Sequence, residues 1–276
     1  MRAGRLKTRR YKVRRAPGAW IGTAAAFMLL GLIAWAWQAG YITLTLPVFT
    51  PAQPAATLTP DDMSKEARTL TLSGESWFAL QLGAFDDRAS AQALAETYQG
   101  RGAAGYLALH QGKYRVLAAA YAARADAQQV QTRLKSRHGV EAAVTEIVRP
   151  EITLRLTGRA AQLTAVEDAW AALTQLIGHL NALSQALDEG GEAWENTLDA
   201  LRSERDTAKA LAGRLDSLFD GSPAAVQKLS ALTKDISDAL DGCLAASGKT
   251  QLGARVKYCQ LLCVCRLAVW AEELAQ

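Results

Sequence analysis

The sequence predicts an α+β domain of order βαββαβ, followed by an all-α helical bundle and preceded by one transmembrane helix. Three observations predict this. Residues 77–147 contain an internal repeat with a period of 36, residues 160–274 carry four apolar stripes at helical spacing, and residues 19–37 form an uncharged apolar run.

The apolar run reads AWIGTAAAFMLLGLIAWAW from Ala19 to Trp37. At about 1.5 Å per residue it spans roughly 28 Å, close to the ~30 Å hydrocarbon core of a bilayer. Trp20 stands at one end and Trp35 and Trp37 at the other, where indole rings favour the membrane interface. Residues 1–15 hold eight Lys and Arg and no acid, which keeps that end in the cytoplasm. A cleaved signal peptide is the rival reading, with Ala34-Trp35-Ala36 as its small-x-small site, but the run exceeds the usual apolar core of ~7–15 residues. The expected organisation is a basic cytoplasmic tail at 1–15, a transmembrane helix at 16–40 and a Pro-rich linker at 41–72. The localisation expected is a cell membrane crossed once, with the C-terminal domains outside.

The charge is unevenly placed. Beyond the tail the chain has 23 basic and 27 acidic side chains, so the net +4 reports the tail rather than a basic nucleic-acid surface. Pro47, Pro51, Pro54 and Pro60 make residues 41–60 an extended spacer.

The repeat begins FALQLGAFDDRASAQALAETYQGRG at Phe78 and again YRVLAAAYAARADAQQVQTRLKSRH at Tyr114. At this offset Phe78 matches Tyr114, Phe85 matches Tyr121, Arg88 matches Arg124 and Gln92 matches Gln128. A fixed short period means one supersecondary unit used twice. Each copy reads strand, helix, strand. Leu80, Leu82 and Ala84 alternate with Gln81 and Gly83, and Val116, Ala118 and Ala120 alternate likewise. Helices follow at about 89–100 and 125–137, stopped by Arg101-Gly102 and His138-Gly139. Asp86-Asp87 supplies the cap of the first. Closing strands are expected at 105–109 and 141–147. Such a unit buries one sheet face under two helices and leaves the other free.

Leu80, Leu82 and Ala84 are expected to face the helices, which places Trp77, Gln81 and Gly83 on the open face with Arg115 and Leu117. An aromatic face beside fixed donors and acceptors suits a sugar, so Trp77, Gln81 and Arg115 form the candidate binding set. The plainer reading, that Gln81 and Arg115 merely face water, stays open on residue type alone. Phe85 and Tyr121 read as core.

The stretch WFALQLGAF at 77–85, the matched KYRVLAAAYAARADAQ at 113–128 and a length near 71 residues resemble a SPOR domain, the sporulation-related repeat of bacterial envelope proteins. The resemblance covers 73–149, about a quarter of the chain. It implies a ferredoxin-like, SPOR-type fold and binding to peptidoglycan glycan strands, with Trp77, Gln81 and Arg115 as contacts. The chain has Ala119-Ala120-Tyr121 where the family has Gly-Pro-aromatic, and its fourth strand carries no aromatic. The setting implied is cell division or sporulation.

Past Pro150, Ile152, Leu154 and Leu156 alternate as a short strand or connector ending at Gly158. Four helical stripes follow, beginning Leu163-Val166-Trp170, Trp194-Leu198-Leu201, Val226-Leu229 and Leu252-Val256. Gly190-Gly191, Asp220-Gly221-Ser222-Pro223 and Ser247-Gly248 separate them, with Ser222 as an expected N-cap before Pro223 at N1. Residues 150–276 therefore read as a connector and an antiparallel four-helix bundle. Leu261, Leu262 and Val264 lie outside the last stripe, an apolar excess that points to self-association or a protein partner for residues 160–276.

Cys243, Cys259, Cys263 and Cys265 have apolar neighbours and no paired C-x-x-C, so they read first as buried free thiols. A disulfide through Cys243 and a metal site are the alternatives. No GxSxG, P-loop or HExxH occurs, and His110, His138 and His179 are scattered, so neither catalysis, cofactor nor metal is expected. RNA binding shares the βαββαβ order but is disfavoured, because YRVLAAAY lacks the basic-Gly-aromatic core that single-strand readers use. The remaining alternative function is a membrane-anchored scaffold whose two folded parts bind proteins.

Overall fold

The two halves of the repeat fold as two β-α-β units of the same order. The first is β2 (Glu75–Phe85), α1 (Arg88–Gln99) and β3 (Tyr106–His110); the second is β4 (Lys113–Tyr121), α2 (Arg124–His138) and β5 (Ala143–Arg149). The matched pairs mark the same places in each copy: Phe85 and Tyr121 end their strands, and Arg88 and Arg124 start their helices. The strands form one antiparallel sheet of order β3-β4-β2-β5, with the copies paired through β2 and β4. Asp87 caps α1 by accepting a hydrogen bond from the Ser90 backbone N–H at 2.8 Å.

The computed structural model describes residues 65–190, 194–219 and 223–275. The basic tail, the expected membrane span, linker residues 41–64 and Ser222 lie outside them. Among the described residues no helix is long and apolar enough to cross a membrane.

The sequence assigns residues 65–72 to the linker, but they form a strand. This β1 (Lys65–Leu72) pairs antiparallel with β6 (Ile152–Arg159), with Leu72 opposite Ile152 and Leu70 opposite Leu154. The alternating leucines of each segment face the same core, but the partner lies some 80 residues away, beyond the reach of a local pattern. Arg68 on β1 donates to Thr164 at 3.0 Å and pairs with Glu167 at 3.1 Å.

β6 leads into α3 (Ala160–Glu189), followed by α4 (Trp194–Leu218), α5 (Ala224–Leu244) and α6 (Lys249–Ala275). Pro223 is the N-cap of α5, one place before the N1 position expected. Each helix packs on its sequence neighbours, and α6 closes on α3. Polar side-chain contacts mark the directions. His179 and Asp168 of α3 meet Glu204 and Arg214 of α4, and Lys228 and Asp235 of α5 meet Glu273 and Arg266 of α6. Rising numbers on one helix meet falling numbers on the next, so the bundle is antiparallel. The four expected stripes supply its core, including Trp170, Leu201, Ile236 and Cys259.

All four cysteines are free thiols, three buried and Cys265 half-buried. A hydrogen bond with Cys263 and burial raise the Cys259 pKa well above the ordinary thiol range; burial pushes Cys265 up to about 12. Such thiols stay protonated and behave as small apolar side chains.

A backbone constraint sets the start of β3. Gly105 has φ +58°, and a Cβ there would lie 2.7 Å from the Ala95 carbonyl oxygen and 2.7 Å from the Gln99 side chain. Gly105→Ala is expected to lower stability by at least about 1–2 kcal/mol, the cost of a left-handed L-residue before the clash is added. Urea unfolding of the variant checks this; an unchanged midpoint would contradict the tight approach.

Candidate functional site

The sheet has two faces with different fates. One carries Leu80, Leu82, Val116 and Ala118 against α1 and α2, as the alternation predicts; past the irregularity in β4 the alternation inverts, so Tyr121 lies on this face and Ala120, expected here, lies on the other. The other is the face that the alternation leaves free. Its upper half is covered by the chain's own bundle: α6 packs across β3, β4 and β5. Trp77, Ala79, Tyr106, Leu117 and Ala120 join Trp170, Leu173, Leu261 and Trp270 in one continuous apolar cluster.

Trp77 is therefore misassigned as an exposed sugar platform. It is 4% exposed and belongs to the core shared by sheet and bundle. The apolar excess on α6, which points to a partner, finds that partner in the same chain: Leu261 and Val264 are buried in this shared cluster. Burying a tryptophan and several leucines there removes more apolar surface from water than an open sheet face could.

The seam is also polar in places. Lys257 on α6 pairs with Asp188 at 2.6 Å and donates to the Gly102 carbonyl at 3.2 Å. The Gln260 amide donates to the Ala120 carbonyl at 3.3 Å and to Asn181 at 3.2 Å. Arg149, at the end of β5, is 6% exposed; it pairs with Glu75 at 2.9 Å and lies 4.8 Å from the centre of the Trp170 ring. Burial lowers its pKa and Glu75 opposes that shift. These contacts fix the bundle to the sheet.

Gln81 and Arg115 stand where burial of this face falls off. Across the sheet, Tyr106 pairs with Leu117, Leu117 with Gln81 and Gln81 with Ala143. Along that row Tyr106 and Leu117 are buried, Gln81 is half-buried and Ala143 is exposed. Below it lie Ala108, Arg115 and Ala84, paired in that order. Arg115 is half-buried, and among the described residues no hydrogen bond or ion pair engages its guanidinium. The Gln81 side-chain oxygen accepts from the Thr145 hydroxyl at 3.2 Å. The structure thus brings Gln81 and Arg115 together on an uncovered half-face and withdraws Trp77 from it.

Gly83 departs from the expected alternation. The register of β2 against β4 shifts on both sides of Gln81, so Gly83 faces α1 and Ala84 the uncovered side. A Cβ on Gly83 would lie 2.9 Å from the Phe85 ring and 3.1 Å from Leu94. A β-bulge adds a residue to one strand and reverses the facing of the residues beyond it. Gly in the strand was the signal that could have located it.

Among the described residues no cluster of His, Cys, Asp and Glu has the arrangement of a metal site. The family comparison agrees with the geometry on one segment. Residues 74–146 match the SPOR domain family. A search of curated proteins finds no match. Among solved structures, the chain is similar to the peptidoglycan binding domain of the B. subtilis cell wall lytic enzyme CwlC, with 28% identity over 27% of this chain and 94% of that one and a TM-score of 0.24. The family match spans β2 through β5 with both covering helices, and on it the chain carries a SPOR domain at residues 74–146.

Proposed function

We propose that the protein is a non-enzymatic, membrane-anchored envelope protein that holds peptidoglycan glycan strands on the uncovered half of its SPOR sheet. The observation that carries this is Arg115, a cation with no partner among the described residues, beside Gln81 on the exposed part of a SPOR domain. Amide and guanidinium donors match the hydroxyl and acetamide oxygens of an N-acetylated glycan. The uncharged run at 19–37 after eight cations supports the anchor, and the spacer supports reach toward the wall. Cell division or sporulation is the setting the family suggests.

The test is sedimentation of the purified full chain with peptidoglycan sacculi, with and without stem peptides. Arg115→Ala should weaken binding by about tenfold or more, because hydrogen bonds from charged groups contribute roughly 1.5–3 kcal/mol. Gln81→Ala should weaken it less, and neither variant should unfold, since both residues border solvent. Wild-type binding with both variants unchanged would move the site elsewhere.

A second reading is a membrane-anchored scaffold. One observation favours it: this SPOR sheet already engages a helix, α6, over half of its face. Failure of the wild-type chain to bind sacculi would leave that reading in place.

A further inference from the structure

We infer that α6 supplies a second wall of the glycan site, with Tyr258 as its stacking residue; this rests on the reading of the uncovered sheet as a glycan surface. The helix is not a removable lid. Its buried side joins the apolar cluster that contains Trp77 and Trp170, and its Lys257 and Gln260 side chains donate to Asp188, Asn181 and the Ala120 and Gly102 carbonyls. A ligand approaching the sheet meets α6 in place.

Helical geometry decides which side of α6 borders the uncovered sheet. Lys257 and Gln260 face α3, and Arg255 and Arg266 reach α5. Leu261 points into the shared core. Between Leu261 and the α5 side, at 4-3-4 spacing, lie Tyr258, Leu262, Cys265 and Val269. Tyr258 is 37% exposed and Val269 52%, whereas their neighbours toward the core are buried. The Tyr258 ring meets the Tyr106 ring edge-on at 5.3 Å. Tyr106 belongs to the row that runs through Leu117 to Gln81, one row above Arg115.

The uncovered half-face is thus the floor of a step, and this stripe is its riser. The floor offers Gln81 and Arg115 to polar groups; the riser offers an aromatic ring and apolar side chains. A pyranose ring has the same two characters, with an apolar C–H face and a polar rim. The stacking function that Trp77 loses through burial is available in Tyr258, a residue outside the SPOR segment. A SPOR domain fused to this bundle would then read its glycan with two parts of the chain.

The experiment uses the purified full chain and sacculi stripped of stem peptides. Tyr258→Ala should weaken binding by about two- to tenfold, the range of an aromatic contact, while Tyr258→Phe should bind as wild type. Soluble glycan strands should slow nitration of Tyr258 by tetranitromethane in the wild-type chain, read by peptide mass. That readout does not depend on any variant folding. The inference is overturned if Arg115→Ala weakens binding while glycan leaves Tyr258 nitration unchanged and folded Tyr258→Ala binds as wild type. If the wild-type chain binds no sacculi, the glycan reading falls and this inference with it.

Discussion

Trp77→Ala is expected to lower the stability of the folded chain by about 3–5 kcal/mol, the range for emptying a buried aromatic site. The side chain sits 4% exposed in the cluster that joins the sheet to α3 and α6, so its loss opens a cavity with walls from both. Chemical unfolding followed by far-ultraviolet circular dichroism and by tryptophan fluorescence should give one coincident transition in wild type, because no boundary divides this core. The variant should unfold at much lower denaturant. Trp77→Phe should lose far less: it keeps an aromatic ring and removes an indole N–H that has no hydrogen-bond partner among the described residues. A Trp77→Ala chain of wild-type stability that fails to bind glycan would restore Trp77 as an exposed contact and contradict the docked bundle.

Arg149→Ala is expected to cost about 3 kcal/mol, the low end for breaking a buried pair. The low end applies because Glu75 keeps 35% of its side-chain surface in water and can recover hydration. The guanidinium also donates to the Ser73 carbonyl at 3.2 Å and stacks on Trp170, so three contacts go at once. Arg149→Lys should not restore them, since an ammonium lacks the planar fork that pairs and stacks together. The comparison is Arg124, which pairs with Glu146 at 2.7 Å and lies over Phe78 but is half in water. Arg124→Ala should change stability by no more than about 1 kcal/mol. Equal losses in the two variants would show that burial does not separate them.

The different legibility of these residues has a physical origin. The β-α-β repeat could be read because its signals are local: Phe85 and Tyr121, Arg88 and Arg124 recur at 36 residues, and period-2 and period-3.6 patterns report which side of each element is apolar. The bundle stripes were legible for the same reason, and Leu163 through Trp270 occupy the core they announced. Gln81 and Arg115 could be placed on one sheet face because facing alternates along a strand. Gly83 escaped because a bulge breaks that alternation without altering composition.

By itself the sequence determined every described element but β1, together with their order, the SPOR segment and the amphipathic faces, all set by interactions within a few residues. Only the tertiary structure decided what those faces meet. The pairing of β1 with β6 spans the whole SPOR domain, and Leu70 opposite Leu154 leaves no trace in either segment alone. An apolar residue such as Trp77 or Leu261 signals that it will leave water, since burial is non-directional, but not which surface will exclude the water. Here each covers the other's part of the chain. That choice removes Trp77 from the sheet's free face and sets Tyr258 beside Tyr106 at its edge.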